Sequence, residues 1–227
     1  MKLTKLPLVA ALSLLVLSSN AWAQSTKRLI DEVNPFIGTS NFGTTNPGAV
    51  VPNGLMSITP FNVSGSPELN KFDKDKRWWS TPYTADNKFF SGFSHVNLSG
   101  VGCPELGSII VSASAGDLDV DYTHYGSAMS EEKAHPGYYS VQLDKHKIKA
   151  EVTATQRTAV SAFTFERGGK SNILVNLGLG LTNESGATVR FLNDSTIVGS
   201  KLMGTFCYAP QAVFNQYFAI RISRRAP

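Results

Sequence analysis

The residue types able to do chemistry gather in the first half of the chain. Residues 89–109 read FFSGFSHVNLSGVGCPELGSI. This run sets His95, Asn97 and Ser99 beside Phe89, Phe90 and Phe93, then continues through Gly100, Gly102 and Gly107. Upstream, Arg77-Trp78-Trp79 precedes Tyr83. Aromatic rings beside Asn, His, Ser and Arg donors suit a sugar: the apolar face of the pyranose packs on a ring while its hydroxyls meet polar partners. Successive strand residues point to opposite faces, so Trp78 and Trp79 cannot both face inward on one strand, and one is expected at a surface or cleft.

Other chemistries are poorly supported. No GxSxG is present, and Ser94 and His95, adjacent in sequence, cannot form a nucleophile–base pair within a strand. No phosphate-loop or dinucleotide pattern occurs. Glycoside hydrolysis needs two carboxylates across the scissile bond. Glu105 is the acid nearest the Phe/His/Asn stretch; it serves either as a site carboxylate or as an ordinary surface acid. Asp117, Asp119 and Asp121 alternate and would share one face of a strand. Without the glycine and terminal glutamate of a calcium loop they read as a solvated strand face.

The elements that must position these residues read as strands. Period-two alternation over 51–61, 108–115, 138–143, 148–155, 160–165, 173–177, 188–191, 196–199 and 216–222 predicts an all-β fold. The expected architecture is an antiparallel β-sandwich with long ordered loops in the N-terminal third. Residues 144–147 and 166–170 read as hairpin turns. Residues 34–107, rich in Gly, Pro, Asn and aromatics, read as the loop-bearing part, and long ordered loops tend to carry function.

The N-terminus carries Lys2 and Lys5, an apolar run from Leu6 to Leu17, and the small-x-small site Ala21-Trp22-Ala23. This is a secretory signal peptide over 1–23, cleaved before Gln24, and predicts an exported protein, periplasmic or secreted. The apolar run is too short to span a membrane, and no second one follows. The 227-residue chain has a formal net charge of +4. Losing two lysines leaves a small, scattered basic excess that points to no nucleic-acid partner. Cys103 and Cys207 are the two cysteines, and the exported compartment permits a disulfide without showing that the sulfurs meet. Three tripeptides, starting at Asn62, Asn97 and Asn183, match the glycosylation acceptor.

Four blocks, VNPFIGT at 33–39, NPGAVVPNGLMSITP at 46–60, FFSGFSHVNLSGVGCPELGSI at 89–109 and HPGYYSVQLDKHKIKAEVTATQR at 135–157, resemble the N-terminal domain of glycoside hydrolase family 92. Asn97 stands where many relatives have His, and Asn53 replaces a frequent Phe. The resemblance implies a β-sandwich over 24–227 from an exported, calcium-dependent, inverting α-mannosidase acting on mannose-containing glycans. A helical barrel domain, absent from this chain, would supply the general acid, the general base and most of the calcium shell. The active site would lie between the domains. On that reading the chain holds no catalytic residue, its metal ligands are unknown, and Gly38, Thr39, Trp78, Trp79, His95, Asn97 and Ser99 are the expected substrate-binding residues. Two other readings compete: a non-catalytic carbohydrate-binding module, and an orphan fragment prone to association through an uncovered apolar face.

Overall fold

The structure, a computed structural model, describes residues 28–41, 43–63, 79–181, 184–204, 207, 209 and 211–224. The expected signal peptide and Trp78 lie outside the described residues. The chain divides into two units, residues 1–32 and 33–227. The described part of the first is a 3₁₀ turn, Leu29–Glu32, with the Arg28 guanidinium on Asp31 at 2.9 Å.

The second unit is built from thirteen described strands in three antiparallel sheets. In chain order they are β1 (Ala49–Val50), β2 (Ser57–Phe61), β3 (Phe89–Phe90), β4 (Gly92–Asn97), β5 (Leu106–Ala115), β6 (Ser127–His135), β7 (Tyr138–Leu143), β8 (Ile148–Ala154), β9 (Ala159–Phe165), β10 (Ser171–Asn176), β11 (Glu184–Asn193), β12 (Thr196–Met203) and β13 (Phe214–Arg221). One sheet runs β1-β2-β4-β5-β10, a second β3-β6-β7-β8-β9, and a third β11-β12-β13. A single helical turn, α1 (Tyr122–Tyr125), is capped by the Asp121 carboxylate, which accepts from the Thr123 amide.

The first two sheets face each other across one core. The alternate residues Tyr139, Val141 and Leu143 of β7 and Ile148, Ala150, Val152 and Ala154 of β8 point inward. They meet Ala49, Ile58, Phe93 and Ala113 from the first sheet. Phe90 and Phe93 pack edge to face, with ring centroids 4.9 Å apart. The outer face of the first sheet is covered as well. Phe61, Ile110, Trp79, Leu179 and Leu181 form a second core. That two-sided burial explains why β5 is buried from Gly107 to Ser114 instead of alternating.

Three sequence readings are corrected here. Residues 166–170 do not close a hairpin: β9 lies in the second sheet and β10 pairs with β5 in the first, so this segment crosses between layers. Asp117, Asp119 and Asp121 share no strand face, because β5 ends at Ala115. Lys170 reaches Asp117 at 2.7 Å, His124 lies 3.2 Å from Asp119, and Asp121 caps α1. The stretch 51–56 turns rather than extends, with the Gly54 amide bonded to the Val51 carbonyl.

Candidate functional site

The site grows from two irregularities at one end of the first sheet. Between Phe93 and His95, β4 advances two residues while β5 retreats three, from Val111 to Ser108. The extra β5 residue is unpaired in the ladder, and Ile109 takes a positive φ of 53°. Its carbonyl accepts a bond from His95 Nδ1 at 2.7 Å. A carbonyl only accepts, so Nδ1 carries the proton and Nε2 keeps its lone pair. Burial holds the imidazole below its ordinary pKa, partly offset by that bond. His95 is thus a neutral ring with an acceptor nitrogen not used by the bulge.

Asn97 is held differently. Its backbone amide donates to Ser57 Oγ at 2.7 Å, Ser94 Oγ donates to its Oδ1 at 2.7 Å, and its Nδ2 donates to the carbonyls of Ser94 and Ser57. Val96 between them has a φ of 57°, and Leu106, the β5 partner of Asn97, 59°. Positive φ is strained for branched residues, and such strain concentrates at functional sites.

Three loops close over this end. The turn of VNPFIGT is tied by the Thr39 amide and hydroxyl, both donating to the Phe36 carbonyl. Thr39 is buried, and its own carbonyl accepts the Ala85 amide. Gly38 has a φ of 78°, and an added Cβ would lie 2.9 Å from Thr45 Oγ1, so this position requires glycine. Thr45 donates through its amide to the Gly38 carbonyl and through its hydroxyl to the Ile37 carbonyl. The Gly100 amide then donates to the Thr44 carbonyl at 2.7 Å, which joins the loop after β4 to the other two. Gly100 turns at a φ of 98° into open space, a conformational need rather than a crowded one. Asn46 anchors the NPG turn to β2 by accepting the Thr59 hydroxyl at 2.7 Å.

Hydrogen bonds thus link the turn that bears Gly38 and Thr39, through Thr45 and Thr44, to Gly100 in the loop that carries Ser99, while His95 and Asn97 stand on β4 just before that loop and Thr39 is bonded to Ala85. Ser99 is exposed, and the loop tips Ile37 and Val101 are 73% and 92% exposed. Trp79 is elsewhere: its ring is buried in the second core with Phe61 and Ile110. Glu105 is buried beside the cluster, its Oε1 accepting the Cys207 amide at 2.8 Å; burial raises its pKa and that bond lowers it in part. Cys103 and Cys207 form a disulfide, with Cα atoms 5.3 Å apart.

Two polar groups that the sequence did not mark hold neighbouring elements together. Asn62 was visible only as a glycosylation acceptor. Its Nδ2 donates to the carbonyls of Thr84 and Asn87, each at 2.7 Å, and its Oδ1 accepts the Thr84 amide. A fully buried amide with both donors engaged is no sugar acceptor in this fold. Its apolar flanks, Phe61 and Val63, were the available signal of burial. Glu132 is the second. Its Oε2 accepts the hydroxyls of Tyr83 and Tyr139 at 2.7 and 2.8 Å, and Lys88 reaches Oε1 at 2.5 Å.

Among the described residues no three His, Cys, Asp or Glu side chains converge to hold a metal ion. No described helix is long and apolar enough to cross a membrane.

Comparison with known proteins adds the family. The pattern of the glycosyl hydrolase family 92 N-terminal domain matches residues 32–227. An uncharacterized secreted glycosidase of Arthroderma benhamiae is 29% identical over 178 residues, covering 72% of this chain and 21% of that protein. The solved family GH92 α-mannosidase of Bacteroides thetaiotaomicron superposes with a TM-score of 0.76 at 29% identity, over 88% of this chain and 26% of that one. Its complex with mannoimidazole gives 0.75 at 30% identity. Another GH92 family glycosyl hydrolase gives 0.64 at 27% identity, over 84% and 26%. The chain spans about a quarter of the length of these relatives.

Proposed function

The chain belongs to the glycosyl hydrolase family 92 N-terminal domain family, and on that premise we propose that it is the substrate-shaping domain of an exported α-mannosidase. The observation that carries this reading is the loop cluster. Three separate loops are bonded to one another, the last of them following the strand on which the Ile109 carbonyl fixes the tautomer of His95, and their tips Ile37 and Val101 are exposed. Such a surface suits a mannoside on one side and a second domain on the other. His95 Nε2 accepts a sugar hydroxyl, and Ser99 and the Gly38 backbone offer further polar contacts. Thr39 and Asn97 are positioning residues, because their polar atoms hold the loops. Trp79 packs in the second core, away from the loops, and Trp78 is the candidate stacking ring.

The chain acts on no glycoside alone. Inverting hydrolysis needs an acid and a base about 6.5–9.5 Å apart across the bond. Several of the described carboxylates are engaged in structure, among them Glu105 with the Cys207 amide, Asp121 as a helix cap, Glu132 with two tyrosines and Glu151 with Tyr138 and Lys149. The acid, the base and the calcium of the parent enzyme belong to the helical domain that the family adds. The test is mannose release from an α-mannoside. The chain alone is expected to be inactive, and joined to a relative's helical domain it is expected to hydrolyse, with His95→Ala and Ser99→Ala raising KM. Mannose release by the chain alone overturns the reading.

A further inference from the structure

The third sheet has two unlike faces. Cross-strand register places Val189, Gly199 and Phe218 in one row and Phe191, Ile197 and Ile220 in the next, on one side. One end of that side is packed on the sandwich, where Met203 and Lys201 are fully buried and Gln216 bonds Ser108 of β5, whereas Val189 and Phe191 farther along it are exposed. The other side carries the rows Thr188–Ser200–Tyr217 and Arg190–Val198–Ala219. The Thr188 and Ser200 hydroxyls are 2.9 Å apart, Tyr217 is 77% exposed, and Arg190 is exposed one row away. An open depression of about 500 Å³ is lined by Thr188, Arg190, Ser200 and Tyr217 of this side and by Val189 and Phe218 of the apolar rows.

The geometry points to a second carbohydrate contact: we infer that the Tyr217 face of the third sheet binds a neutral hexopyranose unit of a glycan. The hydrophobic side, with its unbroken apolar rows, is the one a protein surface would cover. The opposite side offers a lone exposed phenol, two hydroxyls that both donate and accept, and a guanidinium that only donates. That set matches a pyranose ring, which has one apolar face and a rim of hydroxyls. The small side chains Ser200 and Ala219 flank the phenol and leave its ring open to stacking. The inference takes the glycan as ligand class from the proposed function, but it concerns a surface outside the loop cluster and needs no catalytic domain.

The test is affinity electrophoresis of the folded chain through gels with and without yeast α-mannan. Retardation is expected with a dissociation constant near 1 mM, the weak range for a single stacking site. Tyr217→Ala should weaken it at least about fivefold, since each 1.4 kcal/mol is tenfold and a ring stack contributes about 1 kcal/mol or more. Tyr217→Phe should retain it, and so should Tyr138→Ala on the second sheet. Retardation by a β-glucan gel but not by mannan upholds the platform and counts against the mannoside reading. Retardation that survives Tyr217→Ala but is lost with Ser99→Ala and His95→Ala overturns the inference and leaves the loop-cluster reading standing. A wild-type chain that neither gel retards overturns it too.

Discussion

Glu132 shows how one side chain can hold several elements at once. Its carboxylate accepts Tyr83 from the 79–88 segment and Tyr139 from β7, and takes Lys88 as its cation. Glu132→Ala would leave two buried phenol hydroxyls without an acceptor. At about 1–3 kcal/mol for each orphaned group, a loss of about 2–6 kcal/mol is expected in urea unfolding. Glu132→Gln, which keeps an acceptor oxygen, should lose less. The same cluster sets an alkaline limit. Burial, then the Glu132 charge, raises the pKa of both tyrosines above the ordinary phenol value. Unfolded phenols ionise near pH ~10. The folded state keeps protons that the unfolded state releases, so this contribution is full below that pH and is lost as the pH rises beyond it. Urea midpoints between pH 8 and 11 test the slope, and a flat profile counts against it. His95 works at the acid side. Its folded pKa lies below the unfolded value of ~6.5, so its contribution is full above that pH and is lost as the pH falls toward the folded value. In His95→Asn the amide nitrogen can still donate to the Ile109 carbonyl. The difference between wild type and this variant should grow from pH 7.5 to pH 5, in the variant's favour.

At the scale of elements, the buried Asn62 side chain acts as a clamp between the end of β2 and residues 84–87. Asn62→Ala should cost about 2–4 kcal/mol, because the Thr84 and Asn87 backbone groups it meets are buried. It should also speed hydrogen exchange around residues 82–88. Unchanged protection there would show that the segment holds itself. Strands with clean alternation were legible in the sequence: β7 was read with the observed ends, and β8 and β9 within one residue. The strands missed were β1, β3, β4 and β6, and the reason is physical: β1 and β3 have two residues each, too few to show a period. β4 is buried on successive residues from Gly92 to Ser94 and so does not alternate, and a bulge within β6, at Glu131 with φ 51°, breaks the two-residue period next to Glu132. The residues that the bulges re-aim, His95 and Glu132, carry much of the local chemistry. The Phe/His/Asn stretch was legible as a candidate site through residue types. The tautomer of His95 and the role of Asn97 were not, because both depend on partners up to 40 residues away.

For the whole second unit, the disulfide joins the connection after β4 to the connection after β12, 104 residues apart. Closing a loop of that size contributes about 4–5 kcal/mol in the chain-entropy account. Cys103→Ser with Cys207→Ser should lower stability by an amount of that order. It should also loosen the third sheet more than the two-sheet core, where Tyr139, Leu143 and Ile148 are fully buried. Exchange rates compared between β12 and β8 decide this, and equal loosening would mean that the sheets unfold as one. The sequence left this pairing open, since distance along the chain says nothing of distance in space. The third sheet as a separate layer was also illegible: its strands alternate like the others, and only the register shows that they pair among themselves.

The crossing from β9 to β10 has a consequence for the growing chain. β10 is the outer partner of β5, matching it residue by residue from Ser171 against Ala115 to Asn176 against Ile110. A nascent chain that has emerged only to residue 170 already carries every loop of the cluster and the whole second sheet. Its β5 still offers a bare edge of unpaired amides and carbonyls, the kind of template on which chains stick to one another. A fragment that ends before Ser171 is therefore expected to associate through β5 more readily than one that runs past Asn176.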